Sequence, residues 1–563
     1  MKLTDYLAKF LKFNGVSRVF GLQGGAVVHI FDSFEKFKFD CVYTHHEQTA
    51  SLAAVASFKT SEKLAVVVVT SGPGGTNSIT GLLASWQDSI PCIFISGQVR
   101  TAHTSYGKNI RQLGTQESKI IDIVKPITKY SKFVYDLNSF PHDLDEAYSI
   151  AISGRPGPVW LDIPLDLQWQ SLNINKIKKI YKKNSKFHNN KTEFINLIHK
   201  FNNSQKPLIV LGYGIQLSGF KDKYINEILN KKHSIVSTWT ASDYIPTNNK
   251  HNFGIIGMRG QRGANKVLFE SDFILCLGTH LSIPHTTTLV DDFAPKSTKA
   301  IVNLDKDQLN NLNIKFDIKI HCSLENFFKY FKKLKSRGSF SLNYKKMNWY
   351  NQDSKRVNSN TFIRMLSQSK SSGNTCYIID GGGTALYSGF QSVLFKKRDK
   401  VVCSSSISSM GTGLAETIGS FKGGNFKKYV CIIGDGSFLM NVQDLQTIAS
   451  LNIPALIVVV NNNGYLAIRQ TQEGFLNNKY YGTHPKWSLE LPQIKKIAKA
   501  FNFEYFILKK PSDLFLIEKI KKQNNRTIVE LLIDDDQGEL FRQKYSSQNG
   551  LFKPHSLDEM WPF

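Results

Sequence analysis

The feature that most constrains this sequence is a pair of apolar runs, each of which ends in polar residues. The segment reads VCIIGDGSFLMNVQDLQTIASLNIPALIVVVNNNGY, with GDG after the first run and two asparagines after the second. A helix-like stretch long enough for one crossover lies between them, which predicts two parallel strands. Asp435 and Asn462 then lie at neighbouring carboxyl ends, where α/β sheets bind their ligands.

The polar residues at these strand ends suit a hard, oxygen-binding cation. One carboxylate, from Asp435, one amide oxygen, from Asn462, and a backbone carbonyl form a sparse shell that Mg²⁺ completes with water and phosphates. The glycines Gly434 and Gly436, beside Ser437, allow the backbone to approach a phosphate closely. The segment therefore predicts a metal-bridged diphosphate, and an ordinary sheet crossover with a glycine turn is the alternative.

A GDG followed by NN at this distance resembles the thiamine-diphosphate (ThDP) binding motif. In that family the aspartate, the second asparagine and a carbonyl two residues later hold Mg²⁺. The resemblance therefore implies Asp435, Asn462 and the Gly464 carbonyl as metal ligands, with ThDP as the cofactor.

The rest of the chain predicts a large α/β protein. Its 563 residues are too many for one core. Near-continuous Val/Ile runs bounded by Gly and Pro are typical of strands buried on both faces of parallel sheets. We predict three doubly wound parallel-sheet domains at 1–168, 190–335 and 360–540, joined by lysine-rich linkers, and a tail at 541–563. The resemblance identifies the three as the pyrimidine, middle (FAD-binding-like) and diphosphate domains.

Composition restricts the partners and the compartment. The formal charge of +26 comes from 71 Lys+Arg against 45 Asp+Glu. These charges are scattered and not interleaved with aromatics on one face, which argues against a nucleic-acid partner. No apolar run reaches 18 residues, so no membrane helix is expected. The seven dispersed cysteines, without a CxxC, indicate a reducing compartment. We expect a cytoplasmic protein that acts on small molecules.

The segment YTHHEQTASLAAVASF places Glu47 after a strand and at the start of an Ala-rich helix. By itself, an acidic residue there only favours the helix dipole. In ThDP enzymes, however, a glutamate in this place hydrogen-bonds the aminopyrimidine ring and promotes loss of the acidic thiazolium proton. The resemblance therefore implies Glu47 as the main catalytic residue.

Three further segments resemble acetolactate synthase. GLQGGAVVHIFD is similar to its FGxPGG loop, although Gln23 replaces the proline. VTSGPGGTN and the thirty residues around it follow that family almost residue for residue. LGTQESKIIDIVKPITK keeps Gln116, which lies against the cofactor in the family, although Thr115 replaces the preceding phenylalanine. The cofactor-binding residues implied in the first two segments are Gly24, Gly25, Pro73 and Asn77.

The third region carries two more matches. SSSISSMGTGLAETIGS resembles GLGTMGYGLPAAIGA, so Met410 matches the methionine that supports the bent cofactor. An ordinary core methionine is the alternative. DGGGTALYSGF replaces the usual DVGQHQMW but keeps Gly382 and Gly383, whose amides could hold diphosphate oxygens.

The middle region resembles the part of acetolactate synthase that binds a non-redox FAD, which makes FAD an expected second cofactor. The family's GxRxDDR segment reads GTHLSIPH here, so a middle domain without flavin is the alternative. The matching FAD-binding residues are Arg155, Gly212, Gly214, Met258, Gly278 and Asp305.

The resemblance implies a two-step reaction, in which a 2-oxo acid such as pyruvate loses CO₂ and its two-carbon unit joins a second carbonyl. True acetolactate synthases place a tryptophan after the NN motif to select a second 2-oxo acid, whereas Thr471 occupies that place here. Loss of the aromatic opens the pocket to a bulkier acceptor. Our first hypothesis is therefore a keto-deoxysugar nucleotide of polysaccharide biosynthesis as acceptor. The alternative is acetolactate synthase in branched-chain amino acid biosynthesis.

The resemblance also implies an assembly. In this family the cofactor is held between the pyrimidine domain of one subunit and the diphosphate domain of another, so we expect a homodimer or homotetramer. A cofactor-binding paralogue without turnover is a competing interpretation, and the retained Glu47, Asp435 and Asn462 argue against it.

Overall fold

The computed structural model describes residues 1–173, 179, 191–335, 338–368, 373–548 and 551–562. The strands of these residues form three six-stranded sheets and two short pairs near the C-terminus. The strands of the three large sheets pair in parallel, and helices lie between them along the chain. This confirms the predicted α/β class with three parallel sheets. The lysine-rich linker expected near 176–191 lies almost entirely outside the described residues.

The first sheet has the order β2-β1-β3-β4-β6-β5. All five residues of its third strand, AVVVV, are buried, as expected for a strand covered on both faces. Its strands are β1 (Arg18–Gly21), β2 (Asp40–Tyr43), β3 (Ala65–Val69), β4 (Cys92–Gln98), β5 (Tyr130–Phe133) and β6 (Val159–Pro164). The accompanying helices are α1 (Leu3–Phe13), α2 (Val28–Lys36), α3 (Glu47–Ser61), α4 (Pro73–Asn77), α5 (Ile79–Gln87), α6 (Ile120–Val124), α7 (Phe140–Ile152) and α8 (Leu165–Gln168).

The second sheet has the order β12-β11-β10-β7-β8-β9. Numbered within the sheet this is 3-2-1-4-5-6 in reverse, the order of dinucleotide-binding folds. Its strands are β7 (Pro207–Leu211), β8 (Ser234–Ser237), β9 (Asn252–Ile255), β10 (Phe273–Leu277), β11 (Thr298–Asn303) and β12 (Ile318–His321). The helices are α9 (Lys191–Asn203), α10 (Gly214–Leu217), α11 (Lys221–Asn230), α12 (Arg262–Glu270), α13 (Ile283–Thr286), α14 (Lys306–Asn310), α15 (Leu324–Phe331) and α16 (Asn343–Lys346).

The third sheet has the order β14-β13-β15-β16-β18-β17, the same relative order as the first. Its strands are β13 (Thr375–Ile379), β14 (Lys400–Val402), β15 (Lys428–Gly434), β16 (Ala455–Asn461), β17 (Glu504–Leu508) and β18 (Thr527–Leu532). The helices are α17 (Ser359–Ser367), α18 (Gly383–Ser392), α19 (Thr412–Gly423), α20 (Asp435–Met440), α21 (Asp444–Ser450), α22 (Leu466–Leu476), α23 (Ile494–Ala500) and α24 (Ile517–Lys521). The tail pairs β19 (Arg542–Gln543) with β22 (Met560–Trp561), and β20 (Tyr545–Gln548) with β21 (Leu551–Pro554).

The chain divides into two compact units. The first consists of Met1–Ser185, Val402–Tyr429 and Leu439–Ile453, and the second of Lys186–Val401, Val430–Phe438 and Pro454–Phe563. Within the first unit, α3 packs closely on α19. Met410 and Gly411 directly precede α19. Both therefore belong to the same unit as Glu47.

Two expectations from composition can be compared with the structure. None of the seven cysteines forms a disulfide, and six of them are buried, as expected for small core residues. Among the helices described, none is both long and apolar enough to cross a membrane.

Candidate active site

The two predicted strand ends do come together. β15 and β16 are neighbours in the third sheet, and Asp435 follows the first of them directly. Its side chain is buried, and its two oxygens accept the N–H groups of Gly436 and Gly464, each at 2.9 Å. Gly464 has φ = +127°, a conformation that favours glycine, and this turn aims its N–H at the carboxylate. The carboxylate therefore binds the loop that follows β16.

Asn462 presents an unsatisfied oxygen in the same loop. Its side chain is buried, and its Nδ2 donates to the Thr384 hydroxyl at 3.3 Å. Its Oδ1 is buried and accepts no hydrogen bond from the part of the chain that the structure describes. Because a buried acceptor without a partner costs about 1–3 kcal/mol, this oxygen is suited to a ligand. A cation would satisfy it.

The raised pKa of Asp435 is also consistent with a cation site. Burial raises the pKa of its carboxyl to about 7, against the opposing effects of the Gly464 and Gly436 N–H groups and the Arg469 charge. A divalent cation beside the carboxylate would favour its charged form and lower that pKa again. In the described residues no group of three or more His, Cys, Asp or Glu could cage a metal. A cation at Asp435 would therefore take much of its shell from water and phosphate.

Arg469 fixes this loop, and the sequence interpretation missed it. The guanidinium is buried and donates to the carbonyls of Asn462 at 2.8 Å, Thr483 at 3.0 Å and Asp535 at 2.8 Å. It therefore ties the loop that carries Asn462 to the backbone at Thr483 and Asp535. Its position seven residues after Asn462 was the available signal, but a lone arginine on a helix is usually exposed.

The two glycines predicted to bind diphosphate oxygens, Gly382 and Gly383, lie beside these residues. Gly382 and Gly383 begin α18, and Thr384, the partner of Asn462, follows them directly. A Cβ added at Gly383 would meet no atom nearer than 3.9 Å, and one at Gly434 none nearer than 4.0 Å. The space beside both residues is therefore open, as a phosphate site at a helix N-terminus requires. Ser437 is buried in the first turn of α20.

In the first unit, the structure brings Glu47 and Asn77 together. Glu47 is the first residue of α3 and is 7% exposed. Its Oε2 accepts a hydrogen bond of 3.1 Å from Asn77 Nδ2, at the end of α4. The preceding residue, His46, caps the helix by accepting the Gln48 N–H. The carboxylate is thus held at the helix start by a neutral donor, which leaves its other oxygen for a ligand.

The other predicted residues of this unit lie in loops or at the first turns of helices. Pro73 is exposed at the start of α4, and the exposed Gln116 has φ = +61°. The backbone of Gln116 packs on Gly72, where an added Cβ would lie 2.5 Å from its carbonyl oxygen. Met410 is half-buried just before α19. Gly24 and Gly25 open the turn after β1, with Gly24 against Thr70.

The residues predicted to bind FAD are only partly brought together by the fold. Gly212, Gly214 and Gly278 meet at the carboxyl ends of β7 and β10, where a Cβ at Gly212 would lie 2.4 Å from the Gly278 carbonyl oxygen. Asp305 caps α14 by accepting two backbone N–H groups. Met258 is half-buried, and its carbonyl accepts the Gln543 N–H. Arg155 belongs to the first unit, where its Nε donates to Ser89 Oγ at 2.8 Å.

The predicted substrate residue, Thr471, lies on α22. Its side chain is exposed, and its hydroxyl donates to the Ala467 carbonyl at 3.1 Å. The hydroxyl is therefore engaged within its own helix.

Three family models match the chain in order. Residues 1–123 match the N-terminal TPP binding domain of thiamine pyrophosphate enzymes, residues 195–330 their central domain, and residues 381–531 their C-terminal TPP binding domain. These matches include Glu47, Asn77, Asp435 and Asn462.

Curated relatives match nearly the whole chain. The acetolactate synthase large subunit of Lactococcus lactis is 27% identical over 93% of this chain and 91% of its own length. The acetolactate synthase large subunit of Buchnera aphidicola subsp. Acyrthosiphon pisum is 29% identical over 91% of this chain and 90% of its own length. The large subunit of acetolactate synthase isozyme 2 of Escherichia coli is 26% identical over 89% of this chain and 90% of its own length.

Proposed function

The chain belongs to the thiamine-diphosphate-dependent enzymes, in the branch that resembles acetolactate synthase, and we propose that it condenses two 2-oxo acids. The observation that carries the cofactor part of this proposal is the buried Asp435 and the unsatisfied Asn462 oxygen beside the open space at Gly383 and Gly434. That pair suits the Mg²⁺ and diphosphate of the cofactor. Relatives that bear the name acetolactate synthase favour our alternative hypothesis over the keto-sugar one.

The residues present fit this cofactor. Asp435, Asn462 and the Gly464 carbonyl would hold Mg²⁺, while the amides at Gly382 and Gly383 would bind diphosphate oxygens. When bound, ThDP would supply a nucleophilic thiazolium carbon and a cationic ring that accepts the electron pair released on decarboxylation. Glu47 would hold a proton at the pyrimidine ring, and Asn77 would orient its carboxylate. Burial of Glu47 would keep water from competing for that position.

The acceptor is the first test of this proposal. Purified protein supplied with ThDP, Mg²⁺ and pyruvate alone should form acetolactate, because every curated relative named above is an acetolactate synthase. The product is identified by mass spectrometry, and the incubation is repeated with pyruvate and a keto-deoxysugar nucleotide. A branched sugar formed in preference to acetolactate would overturn the 2-oxo acid proposal and restore the keto-sugar hypothesis.

Thr471 gives the second test, since it is the one observation that favours a bulkier acceptor. Thr471→Trp should shift product formation toward acetolactate if this position lines the acceptor pocket, because the indole fills space. The expected change in selectivity is about 1–3 kcal/mol, the usual size of such a pocket effect. Product ratios from competing acceptors measure it, with Thr471→Ser as the control. Equal ratios in all three proteins would remove this exposed residue from the pocket.

A flavin remains part of the proposal. In its favour, Gly212, Gly214 and Gly278 lie at the switch point of a dinucleotide-type sheet, where such ligands bind. The same glycines also pack directly on one another, which explains them without a flavin. The residues therefore do not by themselves demand FAD. Flavin absorbance of the purified protein that is kept on dialysis would support the flavin. Its absence from active, dialysed protein would contradict it.

We also propose that the active form contains at least two subunits, as the resemblance implies. The exposed apolar side chains on and after α22, including Ile468, Phe475 and Tyr481, are the kind of surface that a second subunit covers. A sedimentation mass of one 63.7 kDa chain in the active protein would contradict this.

A further inference from the structure

A large cavity lies within the second unit, away from the candidate residues described above. Its volume is about 620 Å³, within the range of small-molecule sites. The lining comes from four stretches of sequence: the end of β8 to the residue before α12, the segment around α16, the end of α17, and the end of α18 with the residues after it. None of the lining residues is an aspartate or a glutamate. The lining shares no residue with the predicted ThDP, Mg²⁺ or FAD sites.

Two cations line this cavity without a carboxylate partner. Lys345 Nζ donates to the carbonyls of Asn252 at 2.6 Å and Thr247 at 3.0 Å, and it forms no ion pair with the described residues. Arg364 lies 4.1 Å from the ring centroid of Trp349, and in the described part of the chain its guanidinium has neither a hydrogen bond nor an ion pair. A third cation, Lys396, also lines the cavity.

Burial without a counter-ion is costly for these groups. Burial lowers the pKa of Lys345 to about 8 and lowers the pKa of Arg364. Both directions mean that the protein disfavours the charged form here, because no anion compensates the lost hydration. An anionic ligand in the cavity would supply that compensation to both side chains at once.

Phe390 and Phe395 form an apolar part of the lining, here called the aromatic wall. Phe390 and Phe395 are nearly fully buried, and Phe390 stacks on Trp239 with ring centroids 5.5 Å apart. The N–H of Phe395 donates to the Thr247 hydroxyl at 3.0 Å, and that residue's carbonyl binds Lys345. Phe395 and Lys345 are therefore both hydrogen-bonded to Thr247. A preformed wall of this kind suits a flat apolar group.

We propose that this cavity binds an organic anion with a planar ring, of the nucleoside monophosphate class. The phosphate would lie at Arg364 and Lys396, within the field of Lys345, and the base against the aromatic wall. The Arg364 guanidinium lies over the Trp349 ring and donates no hydrogen bond to the described residues, so its N–H groups are available for phosphate oxygens. The phosphate brings the missing negative charge, and the ring matches the apolar wall.

The experiment is a calorimetric titration of the full chain, saturated with ThDP and Mg²⁺ so that the cofactor site is filled. AMP should bind, while adenosine and inorganic phosphate should each bind at least about tenfold more weakly, since each lacks one half of the recognised chemistry. Arg364→Gln should weaken AMP binding by about 10- to 100-fold, the scale of a charge-assisted hydrogen bond. Arg364→Lys, which keeps the charge, should recover part of the loss.

Matched controls keep the test decisive. Arg398→Gln removes the same charge from an exposed residue near the cavity that does not line it, and AMP affinity should stay unchanged. Lys396→Gln supplies a second lining variant if Arg364→Gln does not fold. The proposal is overturned if AMP fails to bind at millimolar concentration, if Arg398→Gln weakens binding as much as Arg364→Gln, or if excess FAD displaces AMP.

Discussion

Glu47→Gln should retain ThDP and Mg²⁺ but lose about 10²–10⁴-fold in turnover, the usual contribution of a positioned proton-transfer group. The amide is nearly the same size and can still accept from Asn77 Nδ2, so the start of α3 should keep its structure. It cannot exchange a proton as a carboxyl group does. The effect should therefore fall on chemistry and leave cofactor binding unchanged.

The direct measurement is hydrogen–deuterium exchange at the thiazolium C2 of bound ThDP, followed by NMR after acid quench. Exchange should slow by the same factor as turnover, because both depend on the Glu47 proton. Glu62→Gln at the opposite end of α3 makes the same charge change and should exchange normally. Wild-type exchange in Glu47→Gln would mean that another group moves this proton.

Much of the architecture could be predicted from local pattern. Fully buried parallel strands such as AVVVV and ALIVVV show as uninterrupted apolar runs, and their polar ends locate Asp435 and Asn462. Glu47 and Asn77 are each predicted from motifs that resemble a known family, but the contact between them is seen only in the structure. The order of strands within each sheet did not follow, because it depends on contacts between distant segments.

The residues that escaped prediction share a physical reason. Arg469 looks like any helical arginine until the fold places four backbone carbonyls around its guanidinium. The cavity at Arg364 is assembled from four separate segments between residues 237 and 396, so no local pattern reveals it. The exposure of Thr471 likewise depends on which face of α22 is covered. Burial of a polar group is a property of the fold, so composition and spacing do not reveal it.

Asp435→Ala should abolish the stabilisation that ThDP and Mg²⁺ give to the folded protein. Removing one partner of a buried charge pair costs about 3–5 kcal/mol, which corresponds to about two to four decades in affinity. The variant loses the only carboxylate among the proposed ligands, and the Gly464 N–H loses its acceptor. The loop that carries Asn462 should therefore also be held less firmly.

The measurement is the difference in Tm with and without ThDP and Mg²⁺, which separates cofactor binding from any change in the metal-free protein. Asp162→Asn is the control, because Asp162 is also buried with a pKa raised to about 7 but lies in the first unit among Ser96 and Gln98. Its cofactor-dependent increase in Tm should be close to that of the wild type.

The Mg²⁺ affinity of the wild type should also depend on pH if Asp435 is a metal ligand. The metal-free carboxyl of Asp435 has a pKa of about 7, so Mg²⁺ must displace a proton below that pH. Metal affinity should therefore fall as the pH is lowered through 7, and Asp435→Ala should lose this part of the dependence. A cation that binds Asp435→Ala with wild-type affinity and the same pH profile would have to be held elsewhere, and the ligand assignment would be wrong.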